Sequence, residues 1–241
     1  MNRSLIGRLA TLHFAATEGA TENLRREGVN GIFVTGNTGI DALLETRAAL
    51  LSGRLRADGL PELDSRKKLI LVTAHRRESF GASFERICQA LAALAARSDI
   101  EIVFPVHPNP NVRDVVNRRL GGHNTIKLID PLSYVRFVDL MSRAHVILTD
   151  SGGIQEEAPS LGKPVLIMRE KTERPEAIAC GTARLVGTDP SRIVGEVVLL
   201  MENTSEYLSR SRIDNPFGDG RASGRILDII RSHFAIPSRS L

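Results

Sequence analysis

Between Leu148 and Val165 the chain reads Leu-Thr-Asp-Ser-Gly-Gly-Ile-Gln-Glu-Glu-Ala-Pro-Ser-Leu-Gly-Lys-Pro-Val: an apolar run, a Ser-Gly-Gly turn, then a helical pattern with two glutamates. Glycines at 152 and 153 let backbone amides approach an anion without interference from a Cβ, and the N-terminus of the following helix favours negative charge. Glu157 falls about one turn into that helix. From there its carboxylate can accept hydrogen bonds from a ribose diol while phosphates rest on the amides of Ser151, Gly152 and Gly153, the logic of a nucleotide diphosphate site. An ordinary strand-to-helix turn with exposed acids has the same local pattern. Two more polar clusters, His75-Arg-Arg-Glu78 and His107-Pro-Asn109, likewise follow directly on apolar runs.

The elements that must position these clusters alternate. Strands are expected at Leu69–Thr73, Ile100–Val106, Ile126–Ile129, Val146–Thr149, Val165–Met168 and Arg184–Val186. Helices are expected at Phe84–Arg97, Val112–Leu120, Tyr134–Arg143, Ile154–Leu161, Pro175–Ala179 and Arg192–Glu202. About six βα units of this kind predict an α/β fold, a three-layer doubly wound parallel sheet whose ligands bind at the carboxyl ends of the strands. The three polar clusters then converge on one rim. Residues 1–35 break the rhythm, with a helix at Arg3–Leu12, a strand at His13–Ala16, a helix at Thr21–Glu27 and a strand at Ile32–Thr35, and they read as the tail of another domain. A loop at Asn215–Gly220 precedes a last amphipathic helix near Ser223–Phe234.

Composition narrows the class. The 241 residues are 42% hydrophobic, enough for a globular core, and carry a net charge of +4 with a pI of about 9.4. The basic residues are spread along the chain and aromatics are 4% with no Trp, which argues against nucleic acid as a partner. Cys88 and Cys180 sit far apart in apolar segments and are expected to be reduced, buried thiols, which points to the cytoplasm. No window approaches the roughly 18 apolar residues of a membrane span, and the first residues lack the apolar core of a signal peptide. The six histidines show no metal-ligand spacing, with His75 and His107 too far apart in sequence to form a local pair.

Six motifs carry a resemblance over nearly the whole chain: Gly36-Asn-Thr-Gly-Ile-Asp-Ala42, Thr73-Ala-His-Arg-Arg-Glu-Ser-Phe80, Pro105-Val-His-Pro-Asn-Pro110, Thr149 to Pro164, Thr172-Glu-Arg-Pro-Glu176 and Asn215-Pro-Phe-Gly-Asp-Gly220. Together they resemble the non-hydrolysing UDP-N-acetylglucosamine 2-epimerases, which have the two-domain GT-B fold. The resemblance implies UDP and UDP-N-acetylglucosamine as ligands, with neither cofactor nor metal. It implies that Ser151, Gly152 and Gly153 hold the phosphates, that Glu157 binds the ribose and that Phe137 borders the uracil. Leu132 departs from members that carry a polar residue there and is at most a weak contact. Arg174 corresponds to a phosphate- or sugar-facing arginine, Arg3 to a UDP-binding arginine after the interdomain catalytic segment, and His75 to an active-site histidine that assists departure of UDP. A strand-end histidine satisfied by a neighbour is the alternative for His75. Arg76, Glu78 and His107 resemble a second, regulatory substrate site; a solvated charge cluster is the competing reading.

The chemistry so implied is elimination of UDP across C1 and C2 to a 2-acetamidoglucal and re-addition after a proton returns to the opposite face, giving UDP-N-acetylmannosamine for surface polysaccharide. It needs a carboxylate base and acid acting together with a stabilised leaving diphosphate. Family members carry those acids in an N-terminal domain, so the resemblance implies a remnant of that domain in 1–35, a UDP-binding domain in 36–220 and a crossing helix and tail in 221–241. The expectation is a chain with the diphosphate half and without the proton-transfer half, with apolar surface exposed around residues 1–35 and the last helix. A separately encoded N-terminal half and a homodimer are the partnerships this suggests. Rival readings are a non-catalytic UDP-sugar binding module or split-enzyme subunit, a GT-B glycosyltransferase, and a hydrolysing epimerase, since one fold serves several chemistries.

Overall fold

The structure is a computed structural model and describes residues 2–212 and 215–235. The chain forms two compact units, one made of residues 1–45 and 215–241 and the other of residues 46–214. Both terminal segments therefore belong to a single unit.

In the first unit, α1 (Asn2–Leu9), β1 (His13–Ala15), α2 (Glu18–Arg26) and β2 (Ile32–Val34) are followed by α3 (Thr38–Leu51), which runs across the boundary into the second unit. β1 and β2 pair in parallel with Phe14 opposite Phe33. The helix expected at Thr21–Glu27 begins earlier, at Glu18, because Thr17 caps it by accepting the Ala20 amide at 3.0 Å. Leu5, Ile6, Leu9, Phe33 and Val34 are exposed, as the sequence led one to expect of this segment.

The second unit holds β3 (Lys68–Thr73), α4 (Ala82–Leu94), β4 (Ile100–Pro105), α5 (Pro110–Leu120), β5 (Ile126–Ile129), α6 (Tyr134–Arg143), β6 (Val146–Thr149) and α7 (Gly152–Glu157). It continues through β7 (Val165–Ile167), α8 (Pro175–Ala179), β8 (Ala183–Leu185), α9 (Pro190–Glu202) and α10 (Thr204–Arg210). The six strands form one parallel sheet in the order β5-β4-β3-β6-β7-β8. From β3 the chain steps outward to β4 and β5, then returns to lay β6 on the other side of β3. The order reverses between β3 and β6, and a doubly wound sheet opens its ligand crevice at such a reversal, outside the carboxyl ends.

Alternation along each strand supplies two buried faces. Ile70, Val72, Ile102, Phe104 and Leu148 pack with Phe84, Ile87 and Leu91 of α4, Val112 and Val116 of α5, and Ile193 and Val197 of α9. Leu71, Val103 and Ile147 are fully buried on the opposite side, where α6 brings Val138 and Met141 against β3. Among the described residues, no helix is long and apolar enough to cross a membrane.

The chain closes the first unit with α11 (Ala222–His233). Asp41 of α3 accepts the amides of Ala222 at 3.0 Å and Ser223 at 2.7 Å, so its carboxylate caps α11. A Cβ on Gly36, where φ is +88°, would stand 3.3 Å from the Gly218 Cα. The Gly36-Asn-Thr-Gly and Asn215–Gly220 motifs thus pack directly against each other, and the Asn37 amide donates to the Phe217 carbonyl at 2.7 Å.

One expectation fails at Cys180, which is exposed, whereas Cys88 is buried and its thiol is pushed up to about 12 by burial. Cys180 follows the last turn of the five-residue α8 and precedes Gly181, so its sulfur lies on a turn beside the Ala177 carbonyl and the Thr182 hydroxyl.

Candidate functional site

β3 and β6 are aligned so that Thr73 pairs with Thr149, with their hydroxyl oxygens 2.7 Å apart. That register brings the residues just beyond the two strands together. Asp150, fully buried, accepts the backbone amides of His75 at 2.8 Å and Arg76 at 2.7 Å on one carboxylate oxygen, and its carbonyl accepts from Arg76 Nε at 3.0 Å. Its second oxygen makes no hydrogen bond and stands 3.3 Å from His75 Nδ1. Asp150 therefore fixes the backbone of the His75-Arg76 turn and faces the imidazole, leaving Nε2 without a hydrogen-bond partner among the described residues.

Ser151 precedes α7 in an extended conformation, φ −82° and ψ 132°, and its side chain does not cap the helix. The helix begins at Gly152 rather than at the expected Ile154, because the two glycines adopt helical geometry. The amides of its first turn have no partner within the helix and form an anion-binding edge. A Cβ placed on Gly152 would lie 3.5 Å from Arg76 Nη2 and 3.8 Å from Arg174 Nη2, so guanidinium groups from two different loops flank the amide edge. Positive charge converges here from side chains and helix alike.

Arg174 is held by a network that the sequence did not reveal. Buried Gln155 donates to the Ser151 carbonyl at 3.1 Å and accepts the Thr172 hydroxyl at 2.5 Å. Thr172 in turn accepts the Arg174 amide at 3.0 Å, and the Arg174 side chain pairs with Glu156. Arg169, almost wholly buried, makes a two-pronged pair with Glu173 at 2.7 and 2.8 Å, and hydrogen bonding from that guanidinium holds the Glu173 carboxyl down at about 2. Glu173 also reaches Arg76 at 3.8 Å.

α7 ends at Glu157, and a 3₁₀ turn over Ala158–Leu161 replaces the continuous helix expected to Leu161. Pro159, with no amide hydrogen, breaks the ladder at that point. Glu157 is half-buried, and its carboxyl is pushed up to about 7, chiefly by burial; a hydrogen bond from Tyr134 opposes the shift and neighbouring Glu156 adds to it. The Tyr134 hydroxyl lies 3.4 Å from Glu157 Oε1. Phe137 is half-buried on the same helix as Tyr134 and three residues further on, hence on the same face.

Of the residues singled out from sequence, the structure gathers His75, Arg76, Ser151, Gly152 and Arg174 around Asp150, with Gly153 exposed on the next position of α7. His107, despite its distance in sequence, stacks on His75 with ring centroids 5.8 Å apart. The Asn109 amide donates to His107 Nδ1 at 3.2 Å. The side chains of Arg3 and Glu78 lie outside the described residues. Asp150, Gln155, Thr172, Glu156 and Tyr134 were not assigned roles from sequence; only Asp150 carried a signal, standing between a strand and the Ser-Gly-Gly turn. A cleft of about 460 Å³ lined by Ser83, Arg86, Arg169, Lys171 and Glu173 adjoins the site through Arg169 and Glu173. Another, of about 610 Å³, lies beyond β4 and β5 with Arg113, Asn117, Asp130, Leu132 and Arg136 in its walls.

The family model of UDP-N-acetylglucosamine 2-epimerase matches residues 1–231. The UDP-N-acetylglucosamine 2-epimerase of Escherichia coli K12 is 56% identical over 239 residues, covering 96% of this chain and 64% of the relative. Among solved structures, the Neisseria meningitidis UDP-GlcNAc 2-epimerase bound to UDP-GlcNAc superposes with a TM-score of 0.88 at 42% identity, covering 96% of this chain and 64% of that one. A Staphylococcus aureus MnaA–UDP co-structure gives a TM-score of 0.87 at 40% identity, covering all of this chain and 65% of that one. The chain thus spans a little under two thirds of the length of the relatives it matches, and over that span it belongs to the UDP-N-acetylglucosamine 2-epimerase family.

Proposed function

We propose that this chain binds the nucleotide of UDP-N-acetylglucosamine and supplies the diphosphate side of an elimination and re-addition at C1 and C2 that yields UDP-N-acetylmannosamine. The observation that carries this reading is the pair of guanidinium groups, Arg76 and Arg174, flanking the free amide edge at Gly152. In the proposed complex Ser151, Gly152 and Gly153 hold the phosphates, Glu157 accepts from the ribose hydroxyls, and Phe137 borders the base. As the C1–O bond breaks, negative charge grows on the departing diphosphate, and amides and guanidinium groups already in place stabilise it without reorganising. His75, its Nδ1 beside Asp150, is the group we assign to proton delivery toward the leaving diphosphate through Nε2.

The acids that move the C2 proton are proposed to come from a further segment of the enzyme, supplied within a longer chain or by a separate one. Supply of an activated sugar for surface polysaccharide in the cytoplasm, and a homodimeric assembly, complete the proposal. Arg76, Glu78 and His107 are kept as a proposed regulatory substrate site, for which the stacking of His107 on His75 is the support.

Calorimetric titration with UDP tests the nucleotide assignment. Ser151→Val and Glu157→Ala each remove a hydrogen-bonding partner and should weaken UDP by about 1–3 kcal/mol. Wild-type affinity in both variants would remove the site assignment.

A further inference from the structure

Tyr134 is an exposed aromatic, with 41% of its surface accessible. Core packing therefore does not account for an aromatic ring at the first position of α6. Its hydroxyl instead reaches a carboxylate on another helix, Glu157 Oε1 of α7, at 3.4 Å. Glu156, next in sequence, is already engaged by Arg174, so the two adjacent glutamates have different partners. Among the described residues no protein donor reaches Glu157 Oε2.

We propose that Tyr134 is a positioning residue for Glu157: the phenol on α6 holds one carboxylate oxygen so that the other is presented to a ribose hydroxyl. This rests on the reading that Glu157 binds the ribose. A carboxylate at the end of a short helix has freedom about three side-chain torsions, and a single anchoring donor removes the rotamers that turn it away from the crevice. The donor also acts on charge. Among the described residues the groups facing the carboxyl are Tyr134 from α6 and Glu156 from α7 itself; burial and Glu156 favour the protonated form, and the phenol favours the ionised form. An ionised carboxylate accepts from both hydroxyls of a ribose diol, whereas the protonated acid has lost an acceptor. Removing the phenol hydroxyl therefore makes the carboxyl harder to ionise and leaves it less often in the form that takes nucleotide.

The test is titration of UDP into the wild-type chain, Tyr134→Phe and Glu157→Gln between about pH 5.5 and pH 8.5, with the Glu157 carboxyl carbon followed by NMR in the first two. Phe keeps the ring at an exposed position and removes only the hydroxyl. The expected result is a binding step in the wild type that tracks the Glu157 carboxyl, an upward displacement of that step by about half a pH unit in Tyr134→Phe, and loss of the step in Glu157→Gln. At pH 7 the ionised fraction would fall from about one half to about one quarter, so UDP should bind Tyr134→Phe about twofold more weakly there. If Tyr134→Phe superimposes on wild type while Glu157→Gln loses the step, the positioning role is wrong and the ribose assignment stands. If Glu157→Gln binds UDP as wild type does at every pH, the ribose assignment itself falls.

Discussion

Two carboxylates on either side of the Ser-Gly-Gly turn are treated in opposite ways. Asp150 is fully buried, and one of its oxygens receives two backbone amides while the other faces an imidazole without a hydrogen bond. Glu157 is half-buried with one phenol for company, and its carboxyl sits near 7, above the ordinary glutamate value of 4.5. Between those two values the folded chain holds a proton that the unfolded chain has released, so stability falls as pH rises through the window, and the cost is fully present above it. Glu157→Gln should accordingly raise the unfolding free energy by about 1–2 kcal/mol at pH 8 and change it little at pH 4.5, read by urea titration at both values. The anion-binding character of Gly152 and Gly153 was legible in sequence because it depends only on local backbone. Asp150 and Tyr134 were not, since their roles follow from the register of β3 with β6 and the approach of α6 to α7.

The elements read best where apolar periodicity and flanking signals agreed. β5, α6, β6 and α8 have the bounds expected of them, with Ser133 and Ala144 flanking α6 and a proline opening α8. α3 and α10 lie outside the elements expected from sequence: α10 opens with an Asn203 cap that accepts the Glu206 amide at 2.9 Å, but its seven residues are too short and polar to show a helical apolar period. The Asn215–Gly220 motif was visible as a loop, but its purpose lies in a tertiary contact, the approach of Gly218 to Gly36 and the capping of α11 by Asp41. Asp41→Ala should cost about 1 kcal/mol, concentrated on α11. Amide hydrogen exchange should show faster exchange in the first turn of α11 and unchanged protection in the β3–β6 pair.

At the scale of the whole molecule, alternating strands and helices specified the parallel sheet, and the strand order adds what alternation alone does not: a reversal between β3 and β6 that locates the crevice where His75, Arg76 and the Ser-Gly-Gly turn meet. Long-range order of this kind is not written in any local window, whereas the polar residues that exploit it are. The first unit carries exposed apolar side chains of its own at Leu5, Ile6, Leu9, Phe33, Leu227 and Phe234. The measurement that tests the central claim most directly is a titration of the ¹⁵N-labelled chain with UDP, followed by amide chemical shifts. The account predicts the largest shifts at Ser151, Gly152 and Gly153, with His75 and Arg76 next. Shifts centred on Arg113, Asn117 and Arg136 around the other cleft, or none at saturating UDP, would contradict it.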